Sequence, residues 1–339
     1  MNITCISTHR YLDTPEFLTI ALHINTIMST PVYIFGIFII LTKTPEQMKT
    51  VKWCLVNVHG WIILFDYSVS IMTMPFLLLP AFGGYPLGIL KYFGVPTFVQ
   101  TMSVMIIFGW MWASTVLVFE NRFYIICTVQ VKNRWKKMRR KWMFCHYSYV
   151  FVLAIPCYWF VPDQEQAVQK IFESLPCLPG YIYEAPVFVL TENCVYHLSV
   201  IVIFIAICSI EVLIMVFYMS YTIVHQLKGK TVSRKTFEMQ KNFLVALLMQ
   251  VLIPLTMIVI PVIPWLFLII TYTYIQSIVN FTIIIATSHG SVATIVMLIV
   301  HRPYREAILL MIRKKPIGSV NNSRRIMYAA RNALSDINN

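Results

Sequence analysis

The amino-acid sequence predicts an all-α membrane protein, a seven-transmembrane helix bundle with its N-terminus outside and its C-terminus inside. Three observations predict it. Sixty consecutive residues, Asn242 to His301, contain no Asp, Glu, Lys or Arg, and crossing a bilayer takes about 20 apolar residues. Hydrophobic residues make up 58% of the 339 and charged residues only 12%, about half the usual share in a soluble domain. Lysine and arginine fall in alternate connections between the apolar runs, a sorting that a membrane imposes.

The spans follow in order. Apolar segments lie near Phe17–Leu41, Cys54–Leu79, Pro96–Phe119, Met143–Val161, His197–Ile223, Asn242–Trp265 and Gln276–Val300. Lipid offers backbone amides no partner, so helices or closed barrels are required. Continuous apolar runs exclude barrel strands, which alternate at every second residue. The shortest link, Leu266 to Ile275, is the weakest boundary. Residues 1–16 carry Arg10, Asp13 and Glu16 and no apolar core. A cleavable secretion signal is therefore not expected, and the first span is expected to target the chain itself. The chain is expected to divide into an extracellular segment 1–16, a seven-span bundle 17–300, a membrane-surface helix 301–315 and a disordered cytoplasmic tail 316–339.

Charge sets the expected orientation. One set of connections holds three cations after the first span, eight after the third, five after the fifth and eight after the seventh. Together these are 24 of the 27 Lys and Arg, and basic loops stay cytoplasmic. The other set holds Arg10, Lys91 and Lys170, with Asp13, Glu16, Asp163, Glu165, Glu173, Glu184 and Glu192. The net charge of +13 thus reflects topology and attraction to anionic membrane lipids, and no nucleic-acid partner is expected.

Two carboxylates fall inside spans, Asp66 and Glu211. Each costs at least about 2.5–3.5 kcal/mol at mid-membrane, so each should face the interior. A ligand or switch site and a polar lock between helices explain them equally well. For Asp66 the plausible partners are Asn280, Ser288 and His289. Pro254 and Pro261, with Pro264, cluster in the sixth span; prolines bend helices, and a hinge there would let the inner end swing. At the inner end of the third span, Glu120 and Arg122 stand two residues apart, and an ion pair between them would hold an inactive arrangement. After Pro303, Tyr304–Ile312 reads as a short helix ending in Arg313-Lys314-Lys315, suited to lie along the inner surface.

On the outer side, Cys5, Cys177 and Cys194, with Cys157 at the end of the fourth span, allow three pairings, which sequence leaves open. Asn2-Ile3-Thr4 is a glycosylation acceptor, whereas Asn321-Asn322-Ser323 lies inside. No metal or cofactor is expected. His-Glu-x-x-His, Cys-x-x-Cys and Gly-x-Ser-x-Gly are absent, and adjacent Ser288 and His289 point apart on a helix. An enzyme is not expected.

These residues resemble the nematode serpentine chemoreceptors of class H. The pattern runs through Pro31, Thr44-Pro45, Val51-Lys52-Trp53, Asp66, Glu120-Asn121-Arg122, Leu175-Pro176-Cys177, Gln240-Lys241, Gln250 with Pro254, His289-Gly290 and Pro303-Tyr304-Arg305. The resemblance implies a G-protein-coupled receptor of a chemosensory neuron, in the plasma membrane and delivered to the cilium. It would bind an external small-molecule ligand and activate a heterotrimeric G protein. Arg122, Tyr304, Arg305 and the basic loops Lys132–Lys141 and Lys228–Lys241 would form the docking surface. The resemblance also makes Cys177 the better bridge candidate, with Cys5 or Cys194 as partner. Asn121 separates the acid from the arginine, unlike rhodopsin-like receptors. A seven-span channel or transporter is the alternative, with Asp66 and Glu211 marking an ion path. Homo- or hetero-oligomerisation is left open. Phe76, Phe98, Tyr158, Trp159, Trp265 and Tyr272 fit an interfacial belt better than a pocket.

Overall fold

The computed structural model describes residues 10–175, 178–229 and 233–313. Seven long helices carry the apolar segments. They are α1 (Pro15–Lys43), α2 (Lys49–Tyr67), α3 (Thr97–Ile126), α4 (Val129–Ala154), α7 (Val195–Lys228), α8 (Arg234–Thr271) and α9 (Gln276–Val300). Shorter helices α5 (Gln164–Ser174) and α6 (Gly180–Tyr183) lie between α4 and α7, and α10 (Arg302–Ile312) follows α9. Among the described residues six helices are long and apolar enough to cross a membrane; α8 contains the start of the charge-free run.

Two of the long helices, α1 and α8, start ahead of their apolar cores on a capping side chain. Pro15 stands in the first turn of α1, where its missing N–H costs nothing, and the Thr14 hydroxyl accepts from Phe17 N at 3.2 Å. Ser233 caps α8 in the same way through Thr236 N. The basic stretch after α3 is not a loop: it forms the first turns of α4, so cations and span share one rod. α8 runs unbroken through Pro261 and Pro264. Pro254 lies in the same helix, but its side chain is outside the described residues. Tyr272 closes α8 in the left-handed region, φ 52°, so the link to α9 is shorter than expected.

The second span departs from expectation. α2 widens after Tyr67 into a π-helical turn, Ser68–Thr73, and Met74 turns the chain at φ 41°. The apolar residues that follow are strand, not helix. β1 (Pro75–Leu77) pairs antiparallel with β2 (Gly83–Pro86), Phe76 opposite Tyr85. β2 pairs with β3 (Phe188–Val189), Gly84 opposite Phe188, giving the order β1-β2-β3. An apolar run alone does not distinguish a strand from a helix end.

Helix α3 packs against α2, α4 and α7, while α9 packs against α1, α2 and α8. The bundle has two ends. One carries the α1–α2, α3–α4 and α7–α8 connections and α10, and is basic; the other carries the residues before α1, the sheet and α5, and is acidic. At the acidic end Phe76, Leu78, Ile171 and Ile182 are buried and join the same contiguous core as the spans. Asp163 caps α5 through Gln166 N at 3.1 Å, and Lys170 ties α5 to Glu192 at 2.7 Å.

Among the described residues Cys157 and Cys194 are free thiols. Cys5, Cys177, the Asn2 glycosylation acceptor and the tail 316–339 lie outside the described residues.

Candidate functional site

The interface of α1, α2 and α9 is a ladder of polar contacts. From the acidic end downward, Asn25 Nδ2 donates to Thr287 Oγ1 at 3.2 Å, Thr26 to Ser70 at 3.0 Å, and Thr30 meets Tyr67 at 2.8 Å. Tyr33 then donates its hydroxyl to Asp66 Oδ2. His59 reaches the Tyr33 carbonyl through Nε2 at 3.2 Å and Thr294 through Nδ1 at 3.4 Å. Asp66 and His289 are both buried, with Asp66 Oδ1 3.1 Å from His289 Nδ1. The Nδ1 proton has a closer acceptor in the Ala286 carbonyl, at 2.7 Å. The Asp66–His289 contact is therefore a close approach of the two side chains and not a hydrogen bond, since among the described residues Asp66 Oδ1 has no hydrogen-bond partner.

Two glycines permit this approach. A Cβ at Gly290 would strike Asp66 Oδ2, and would lie 2.6 Å from Ile62 Cγ2 and 2.7 Å from the Tyr33 hydroxyl. At Gly36 it would lie 2.6 Å from Thr294 Cγ2 and 3.0 Å from His59. Small residues let membrane helices close on one another, and interhelical hydrogen bonds average about 0.6 kcal/mol each. Of the three partners expected for Asp66, only His289 meets it. Ser288 turns back to the Ile285 carbonyl, and Asn280 is engaged near the acidic end.

There Asn280 Nδ2 donates to the Leu12 carbonyl at 2.9 Å and its Oδ1 accepts from Gln276. Asp13 Oδ1 accepts from Ser277 N at 2.7 Å. Ile275, which precedes α9, has no capping side chain, so a carboxylate distant in sequence supplies the cap and meets the positive helix end. Tyr181 donates to the Asp13 carbonyl at 3.2 Å. Burial, then Asp13 and Glu16, push the Tyr181 hydroxyl up to about 12, so it remains a proton donor at neutral pH. Trp265 Nε1 donates to Thr282 at 2.6 Å, and Phe76 of β1 is wholly buried. Tyr158 and Trp159 are exposed, as an interfacial belt requires.

At the basic end the expected Glu120–Arg122 pair gives way to a different one. Residues two apart on a helix point to different sides. Glu120 is fully buried and turns to α4, where Arg139 Nε lies 2.8 Å away and Trp135 Nε1 donates at 2.7 Å. Arg122 is half-buried, its charge felt by Cys54, Tyr304 and His301. Asn121 donates to the Thr50 carbonyl at 2.9 Å, fixing α3 to α2. Tyr304 is buried and its hydroxyl meets Thr44 at 2.9 Å, docking α10 on α1. Arg305 reaches the Ile299 carbonyl at 3.1 Å. Burial, then Arg122, push His301 down to about 4. Glu211 pairs with His146 of α4 at 2.7 Å, so the two intramembrane carboxylates occupy separate interfaces. Among the described residues no cluster of His, Cys, Asp and Glu is arranged to hold a metal. Trp135 and Arg139 were not legible as partners of Glu120, because both sit within what reads as a solvated basic run.

The described residues form an apolar bundle of long helices with a polar interior seam, a basic end and the short helix α10 docked on α1. The profile of one receptor family, described as "Serpentine type 7TM GPCR chemoreceptor Srh", matches residues 13–314. The chain belongs to this family, as the resemblance implied. It is also similar to serpentine receptor class H-72 of Caenorhabditis elegans, 28% identical over 308 residues that cover 89% of this chain and 87% of that receptor.

Proposed function

We propose that this serpentine receptor binds an external small molecule and activates a heterotrimeric G protein from its basic end, in the plasma membrane of a sensory cell and at its cilium. The observation that carries the reading is the division of labour at the basic end. Glu120 is held by Arg139 and Trp135 of α4, so Arg122 is left to the α2–α9–α10 side, beside His301 and Tyr304. A ligand shifts such a bundle only by binding the signalling arrangement more tightly. In that arrangement the basic end of α8 moves away, with Pro254 and Pro261 as its hinge, and Arg122, Tyr304 and Arg305 meet the G protein. The polar seam of α1, α2 and α9 is the static side against which α8 moves. Cys177 and Cys5 are the proposed bridge, and Asn2 the proposed glycan site, on the acidic face.

The test is Arg122→Ala in cells with a G-protein reporter and a surface tag. Ligand-evoked signalling is lost while surface density stays within about twofold of the parent. Normal signalling at normal density removes Arg122 from the coupling surface. Ligand-gated currents that survive G-protein inactivation would instead favour a channel.

A further inference from the structure

The two faces of α4 differ. One face carries Trp135, Arg139, Trp142 and His146, which pack inward on Glu120 and Glu211. The opposite face carries Arg134, Lys137, Arg140 and Lys141, all exposed, and continues without interruption into Phe144 and Val152, also exposed. The spacing of Arg134, Lys137, Lys141 and Phe144 is three, four and three, which holds them on one helical stripe. At 1.5 Å per residue the cations span about 10 Å, and Lys141 stands about 4.5 Å below Phe144 along the axis. Among the described residues no carboxylate pairs with any of the four cations. Arg139, by contrast, is committed to Glu120 and the Tyr124 ring.

We propose that this stripe is a binding site for a polyanionic phospholipid, its headgroup phosphates on Lys137, Arg140 and Lys141 and an acyl chain along Phe144 and Val152. A loop that merely set orientation would need the charges but not their alignment. A docking face for a protein would have no reason to run on into the lipid-facing side of the span. A phospholipid has the matching shape: several negative charges at one end and a chain at the other. Near-surface cations attract anionic headgroups, and neighbouring phosphates engage two or three of them at once. Salt weakens the attraction without abolishing it, because the chain contact is apolar.

The purified full-length receptor in detergent is titrated by native mass spectrometry with four probes. These are phosphatidylcholine, phosphatidylserine, a phosphatidylinositol bisphosphate, and the free inositol phosphate headgroup without chains. Affinity is expected to rise in the order phosphatidylcholine, phosphatidylserine, phosphatidylinositol bisphosphate. The free headgroup should bind at least about tenfold more weakly than its lipid, for lack of the chain contact. Lys137→Gln and Lys141→Gln should each weaken the bisphosphate lipid about fivefold, the weight of one near-surface cation. Lys228→Gln, at the same end but on α7, should not. Single changes leave seven cations in this stretch, so orientation is preserved, and Lys137→Arg and Lys141→Arg should bind as the parent does. Equal affinity for phosphatidylcholine and the bisphosphate lipid would overturn the site. So would equal losses in Lys228→Gln and Lys141→Gln. Unchanged lipid binding in Lys137→Gln and Lys141→Gln with impaired G-protein coupling would make the stripe a protein-docking surface instead.

Discussion

Arg139 Nε lies 2.8 Å from the carboxylate of Glu120, and the two partners are unequally placed: Glu120 is fully buried, whereas the Arg139 side chain is 27% exposed. That inequality has a consequence. Removing the arginine strands a charge inside the bundle, while removing the acid leaves a cation that reaches water.

Arg139→Leu should therefore destabilise by about 3–5 kcal/mol, the range for stranding a buried charge. Glu120→Gln should cost clearly less, since the amide still accepts from Trp135. Thermal unfolding of both variants in detergent gives the comparison; equal losses would mean that the pair is not held as described.

Tyr33 and Asp66 should couple. Tyr33→Phe removes the donor on Asp66 Oδ2, and Asp66→Asn removes the charge. A double-mutant cycle on thermal stability should return a coupling of about 0.6–1.7 kcal/mol. Gly290→Ala should cost more than either, because its methyl group would overlap both partners. A silent cycle would separate the two side chains.

His301 predicts a pH dependence. Its folded pKa, about 4, lies below the ordinary value of 6.5, so the unfolded chain binds more protons between those two values. Stability is fully present above pH 6.5 and is lost as pH falls toward 4. Between pH 7 and pH 5 the loss from this group is about 2 kcal/mol. His301→Asn should flatten that part of the melting-temperature profile; an unchanged slope assigns the dependence elsewhere.

Asp13 caps α9 from the residues before α1. Asp13→Ala should cost about 1 kcal/mol, within the range for a lost cap, and should speed amide exchange in the first turn of α9. Protection that stays the same there would mean that Ser277 N is satisfied without the carboxylate.

Sequence by itself determined that the chain crosses a membrane, how many times, and which connections are basic. Those features follow from composition and from one-dimensional periodicity, which lipid enforces residue by residue. It also singled out Asp66, Glu120, Arg122 and His289, because charge and polarity near or within an apolar run are costly wherever the chain folds, whereas Tyr304 was marked by the family resemblance. Only the tertiary structure decided which of them meet. Asp66 found His289 and not Asn280, since Asn280 lies more than two turns away along α9 and serves the residues before α1. Glu120 found Arg139 and not Arg122, since a helix turns 100° per residue and places neighbours two apart on different sides. The strand at Phe76 and the π-turn before it were hidden for a related reason. Apolar residues say that a segment is buried, and only the partner arriving from β2 decides how its backbone is satisfied.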